Sequence, residues 1–150
     1  MNKARKIAIA GATGMVGQSF LKLLEKDYFQ DSEISLLASS NSAGKEINFR
    51  GKNHKVEDLS KFNFSEFDLA LFSAGSSVAS TYAPIAVSQG CVVVDNSSCF
   101  RYEDDIPLIV PEVNSKVLDD YVLPGIIANP NCSTIQMLVA LKPLHDEFVI

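Results

Sequence analysis

The sequence predicts an α/β fold of the Rossmann type, a doubly wound, mostly parallel sheet with helices on both faces. Three observations carry this. Short Ile- and Val-rich runs alternate with longer stretches of helical pattern, and continuous apolar runs mark strands that are covered on both faces. The first run opens directly into a glycine-rich turn, Gly11-Ala-Thr-Gly14-Met-Val-Gly17. The chain has 150 residues, of which 47% are hydrophobic and 21% charged, the size and mix of a soluble domain with its own core.

Taken in order, the strand candidates are 6–10, 33–38, 68–73, 91–95 and 125–128. Between the first two, a helix is expected from Met15 to Lys26, with Val16, Phe20, Leu23 and Leu24 forming one apolar stripe against the sheet. From Lys45 to Glu57 a glycine interrupts two strand-like pieces, which predicts a hairpin extension. Ser76 to Gln89 reads as a helix that its serines are available to cap and that Pro84 breaks or kinks. Arg101 to Asp120 holds Pro107 and Pro111 among acidic residues, and is expected to be a crossing loop with a short helix near 115–119. A last helix follows Asn129-Pro130-Asn131-Cys132.

Charge and composition exclude several functions. The net charge is −5 and the basic residues are scattered, which argues against binding a phosphate backbone. The charged start, MNKARK, is followed by a short apolar stretch that runs into glycines, so it reads as the approach to a first strand and not as a signal peptide. No apolar run nears the roughly 20 residues of a membrane span, and a cytoplasmic protein is expected. Cys91, Cys99 and Cys132 are odd in number and form no CxxC pair, which disfavours a disulfide framework and a zinc site; no metal is expected.

In the turn after the first strand, Gly11 permits a tight exit, Gly14 lets backbone amides approach a pyrophosphate, and Gly17 lets the helix lie close to the sheet. The helix start then offers free N–H groups to the anion. At the end of the second strand, where an acidic residue would bond the adenosine ribose, the sequence has Ser39-Ser40-Asn41-Ser42-Ala43-Gly44-Lys45. Hydroxyls, an amide and a lysine there favour NADP; taken alone, the segment also fits an ordinary polar turn.

Cys132 stands at the start of a helix, where the positive end of the dipole favours a thiolate nucleophile. By position alone, a buried structural thiol fits equally well. Beside a nicotinamide-binding turn, the nucleophile reading points to aldehyde oxidation through a covalent thioester, which water or phosphate then attacks. In Asp95-Asn96-Ser97-Ser98-Cys99-Phe100-Arg101, just past a strand's carboxyl end, Arg101 is suited to hold phosphate or carboxylate bidentately; an ordinary surface arginine is the plainer reading.

In order, GATGMVG, SNSAGK, FSAGSS, VVVDNSSCFR, VPEVN and NPNCSTIQ give a sequence that resembles bacterial aspartate-semialdehyde dehydrogenase over essentially its whole length. The resemblance implies reversible, NADP-dependent conversion of aspartate semialdehyde and inorganic phosphate to aspartyl phosphate, on the route to lysine, methionine and threonine. It implies that Cys132 is the acyl-thioester nucleophile, that Arg101 contacts phosphate and that Asn131 shapes the substrate pocket. Cofactor contacts are implied at Gly11, Thr13, Gly14, Met15, Val16, Gly17, Ser39, Asn41 and Ser42, and at Ser73, Ala74 and Gly75. The family often has arginine where this chain has Asn41, and a small alanine where it has Cys99.

The family continues well beyond this length, with a catalytic histidine, a substrate-positioning glutamine and most of a dimer interface in the remainder; the intact enzyme is expected to be a homodimer or larger. Residues 1–128 are thus expected to form the NADP-binding domain, and 129–150 the cysteine segment and first helix of a truncated catalytic domain. His145 follows Cys132 by thirteen residues, roughly 20 Å along a helix at about 1.5 Å per residue, too far to act as its base. His54 lies in the hairpin, and Gln136, one helical turn after Cys132, is not the family's glutamine. The chain is therefore expected to bind cofactor without turnover and to expose an apolar face on its last helix. The competing readings are a non-catalytic nucleotide-binding module and a related semialdehyde or acyl-phosphate reductase.

Overall fold

The computed structural model describes residues 5–150; the first four residues of the charged start lie outside the described part. The elements are β1 (Lys6–Ala10), α1 (Met15–Leu24), β2 (Glu33–Ala38), β3 (Glu46–Phe49), β4 (Lys52–Lys55), β5 (Glu57–Asp58), β6 (Leu69–Phe72), α2 (Ser76–Ser88), β7 (Val92–Asp95), α3 (Pro111–Asn114), β8 (Ile126–Ala128) and α4 (Cys132–Phe148). Six strands form one sheet in the order β5-β2-β1-β6-β7-β8, every pair parallel. Counting only these strands in chain order gives 3-2-1-4-5-6, the doubly wound order with its reversal between β1 and β6.

β1 shows how the sequence builds both layers. Successive side chains on a strand point to opposite faces. Ile7 and Ile9 join Leu21 and Leu24 of α1 with Ile34, Leu36, Phe49 and Val56. Ala8 and Ala10 join Phe64, Phe72, Val93 and the stripe Ala79, Ala83 and Ala86 of α2. Large residues fill the α1 side, while alanine against alanine lets α2 approach closely on the other. Burying an Ile or Leu stabilises by about 1.5–3 kcal/mol, so this central strand, with Ile7 to Ala10 at 0% exposure, anchors both cores.

Four expectations are corrected. α1 ends at Leu24, and its inner face runs Gly17, Leu21, Leu24; Val16 and Leu23 are exposed, because Gly17 rather than Val16 faces the sheet. α2 is not broken at Pro84 but runs through it as one element; a proline removes only one i→i−4 bond, and packing of the alanine stripe holds the rest. The N-cap of α2 is Gly75 and no serine caps it, since Ser76 Oγ bonds Ser98 Oγ at 3.1 Å instead. The hairpin β3–β4 forms as expected, but the chain then adds β5 to the main sheet beside β2, pairing Ala38 with Asp58. Two acidic residues carry no strand signal, which is why the sequence hides it.

The short helix expected near 115–119 is a 3-10 segment that continues from α3. α4 has no buried residue; Met137, Leu141, Leu144 and Phe148 are all exposed. Among the described residues, no helix is long and apolar enough to cross a membrane.

Candidate cofactor cleft and helix-initial cysteine

The glycine turn sits at the reversal point, between the carboxyl ends of β1 and β6. Gly11 leaves β1 with φ of +90°, and a Cβ there would meet the Ser73 carbonyl carbon at 2.8 Å. Only glycine allows that backbone sign and that approach together. Its amide and that of Ala12 both donate to the Leu37 carbonyl, tying the turn to β2. At Gly17, a Cβ would overlap the Gly11 carbonyl oxygen and come within 2.8 Å of Ala12 Cα. Hence α1 can begin flush against the turn. Gly14 is the N-cap of α1 and supplies no side-chain cap, which leaves the first-turn N–H groups to an external acceptor.

Beside the turn lies a cleft of about 460 Å³ lined by Gly11, Thr13 and Gly14, by Ala38, Ser39 and Ser40 at the end of β2, and by Ser73 and Ala74 after β6. A Cβ at Gly11 would collide with the Ser73 backbone beside this opening, which leads to an uncapped helix start. The residues present therefore fit a dinucleotide. Of the expected contacts, Gly11, Thr13, Gly14, Ser39, Ser73 and Ala74 are brought together on this wall. Gly17 stands behind it and Gly75 begins α2. Met15 and Val16 are exposed, Met15 at 87%. Asn41 and Ser42 lie in the next turn, where the Ser42 amide donates to the Ser39 carbonyl and Lys45 Nζ reaches Ser42 Oγ at 3.4 Å.

The far wall contains residues that sequence reasoning missed: Asp58, Leu59 and Ser60, with Val78 and Tyr82 from α2. Asp58 Oδ1 accepts from Ser60 Oγ at 2.8 Å and Ser60 N at 3.0 Å. These bonds hold its carboxyl below the ordinary range, the hydroxyl contributing most. The second strand lacks an acidic end, as expected, but its neighbour β5 provides one. Only knowledge that 57–58 joins the sheet reveals it.

Three strands along the same edge, Cys132 is the first residue of α4 and is exposed. At roughly 4.8 Å per strand, its β8 lies about 14 Å from β1. Asn131 caps the helix: its Oδ1 accepts from Ser133 N at 2.9 Å and Ser133 Oγ at 2.6 Å. Arg101 comes within three residues of the cysteine. Its Nε donates to the Asn129 carbonyl at 3.0 Å and one terminal nitrogen to the Asn96 carbonyl at 3.1 Å. At the end of β7, Asp95 is fully buried and accepts from Ser97 N at 3.1 Å and Ser97 Oγ at 2.5 Å. The other thiols differ in setting. Cys91 is buried and pushed up to about 12, by desolvation first and then by Asp68. Cys99 is raised chiefly by desolvation, with Asp95 and Glu103 adding to it. His145 stands near the far end of α4 with Nδ1 on the Ile150 carbonyl, and His54 packs on the Phe49 ring; neither adjoins Cys132.

A parallel sheet in this order, with a glycine turn and a cleft at its reversal point, is a Rossmann-type NAD(P)-binding domain. More narrowly, the chain belongs to the semialdehyde dehydrogenase family: the family described as semialdehyde dehydrogenase, NAD binding domain, matches residues 6–121. The aspartate-semialdehyde dehydrogenase of Legionella pneumophila is 58% identical over 97% of this chain and 42% of the relative. The crystal structure of aspartate semialdehyde dehydrogenase II from Vibrio cholerae has a TM-score of 0.91 at 50% identity, over 97% of this chain and 43% of that one. The Candida albicans aspartate semialdehyde dehydrogenase solved with NADP has a TM-score of 0.79 at 33% identity, over 97% and 48%. The chain thus spans less than half the length of each of these relatives.

Proposed function

We propose that this chain is the cofactor-binding part of an NADP-dependent, phosphorylating aspartate-semialdehyde dehydrogenase. In this reading residues 1–128 form the cofactor domain and residues from 129 onward begin the catalytic one. The observation that carries the proposal is the placement of an uncapped, glycine-lined helix start and a helix-initial cysteine on one edge of one sheet. The first-turn amides of α1 hold a pyrophosphate. Ser39, Asn41, Ser42 and Lys45 receive the adenosine 2′-phosphate, in keeping with the NADP in the Candida albicans relative. A specific observation favours the opposite preference, NAD: Asp58 lines the same cleft, and a carboxylate there repels a phosphate.

When bound, the nicotinamide supplies the hydride acceptor. The Cys132 thiolate adds through Sγ to the aldehyde carbon of aspartate semialdehyde while the C=O pair moves to oxygen; when that pair re-forms the carbonyl with loss of hydride from the carbon, the acyl group stays on sulfur as a thioester. A phosphate oxygen then attacks the acyl carbon; the C–S bond breaks, and its electron pair returns to Sγ. Arg101, with one terminal nitrogen not engaged by the Asn129 and Asn96 carbonyls, meets the phosphate. The intact protein acts as a homodimer or larger assembly. Three free thiols suit the reducing cytoplasm.

Neither histidine adjoins Cys132, so the isolated chain binds cofactor without catalysing turnover. The test is to incubate it with aspartate semialdehyde, NADP and phosphate while following NADPH absorbance and, separately, NADP binding. Binding without NADPH formation is expected. Steady NADPH formation overturns the claim that the base lies elsewhere, and absence of binding overturns the cofactor assignment.

A further inference from the structure

We infer that Asn96 is a positioning residue for Cys132, acting through Asn129; the inference rests on the proposed role of Cys132. Asn96 is held at both of its carbonyl groups. Its side-chain Oδ1 accepts from Asn129 Nδ2 at 2.6 Å, and its main-chain carbonyl accepts from Arg101 at 3.1 Å. Arg101 Nε in turn holds the Asn129 carbonyl at 3.0 Å, while the Asn129 amide donates to the Asp95 carbonyl at 2.8 Å. Four hydrogen bonds therefore close a ring between the end of β7 and the turn that leaves β8.

The turn matters because only two residues, Pro130 and Asn131, separate Asn129 from Cys132, and Pro130 is buried. A buried proline with fixed φ transmits the placement of Asn129 to Asn131, whose side chain sets the first turn of α4. α4 itself cannot supply this placement, since none of its residues is buried. The position of the thiol is thus fixed from behind, by the Asn96–Asn129 pair. It follows that Arg101 is both an anion-facing and a stapling group, with two of its nitrogens committed to carbonyl oxygens.

The test is the rate at which iodoacetamide alkylates each cysteine of the folded chain, read by peptide mass spectrometry. Asn96→Ala removes the acceptor, whereas Asn96→Asp keeps an oxygen for the Asn129 amide. Cys132 alkylation is expected to slow roughly fivefold in Asn96→Ala, the size of one neutral hydrogen bond, and to return to within about twofold of wild type in Asn96→Asp, which leaves that bond in place. Adding Asn129→Ala to Asn96→Ala is expected to change the rate little further, because both changes break one bond.

Cys91, buried, reports general opening and should stay unlabelled throughout. An unchanged Cys132 rate in Asn96→Ala, equal losses in the Ala and Asp variants, or labelling of Cys91 in step with Cys132 overturns the inference. If Cys132 is not the nucleophile, aspartate semialdehyde gives its thiol no protection from alkylation in the wild-type chain, a result separate from the pattern across the variants.

Discussion

Replacing Gly17 by alanine sets two physical effects against each other and so tests the account of the glycine turn. Helix propensity alone favours the change: alanine is better than glycine in a helix by about 1 kcal/mol. Packing opposes it. The added Cβ would overlap the Gly11 carbonyl oxygen and lie 2.8 Å from Ala12 Cα and 3.0 Å from the Gly11 carbonyl carbon. All three are backbone atoms of the glycine turn, so no side chain can swing aside. Overpacking costs about 1–3 kcal/mol where neighbours can move, and here the upper end applies. The net expectation is a loss of about 2 kcal/mol. For a chain of this size, about 2–4 °C per kcal/mol makes that a fall of roughly 4–8 °C in melting temperature. Calorimetric melting of the two proteins measures it. A variant as stable as the parent, or more so, would falsify the claim that α1 is seated on the turn through Gly17.

Other predictions reach the rest of the molecule. Arg50 reaches the Ser32, Leu24 and Phe29 carbonyls at 2.9, 2.6 and 2.5 Å, joining the hairpin to the end of α1. Arg50→Ala leaves these acceptors without it and is expected to cost roughly 3 kcal/mol, at about 1–3 kcal/mol per orphaned group partly relieved by water, read from the urea midpoint. At pH 8, alkylation of the native chain should label exposed Cys132 and spare Cys91, which burial pushes up to about 12; denaturant should equalise the two. Lys6 is raised, and Glu66 lowered, first by the hydrogen bond between them. A lowered carboxyl contributes stability above its unfolded value that fades as pH falls through its folded value. A raised lysine contributes below its own unfolded value and loses that contribution as pH rises through the folded one. Glu66→Gln should therefore lower the melting temperature slightly at pH 7 and make no difference in strong acid; an equal effect at both pH values refutes the pairing.

Local patterns reveal most of this fold. The five expected strands appear within a residue of their apolar runs, because strands buried on both faces must be continuously apolar. What depends on partners was hidden. Val16 and Leu23 fit a helical stripe as well as Leu21 does, and only the seating of Gly17 on Gly11 and Ala12 selects the inner face. Pro84 reads as a breaker until the Ala79–Ala83–Ala86 stripe is seen packed on the sheet.

The site divides in the same way. Gly11, Gly14 and Cys132 are legible because each has a residue-specific backbone or chemical reason. Asp58 is invisible because β5 has two residues and no apolar signal. Asn96 and Asn129 stand in quoted motifs, yet their bond joins positions 33 residues apart, and no local spacing encodes it.

The central claim, that the cleft at the β1–β6 reversal seats a dinucleotide, is tested most directly by mapping amide chemical-shift changes on titration with NADP and, separately, NAD. Shifts concentrated at 11–17, at Ser39 and Ser40 and at 73–75, saturating at lower NADP than NAD, are predicted. Shifts confined to the β3–β4 hairpin, or absent with both nucleotides, would contradict the account.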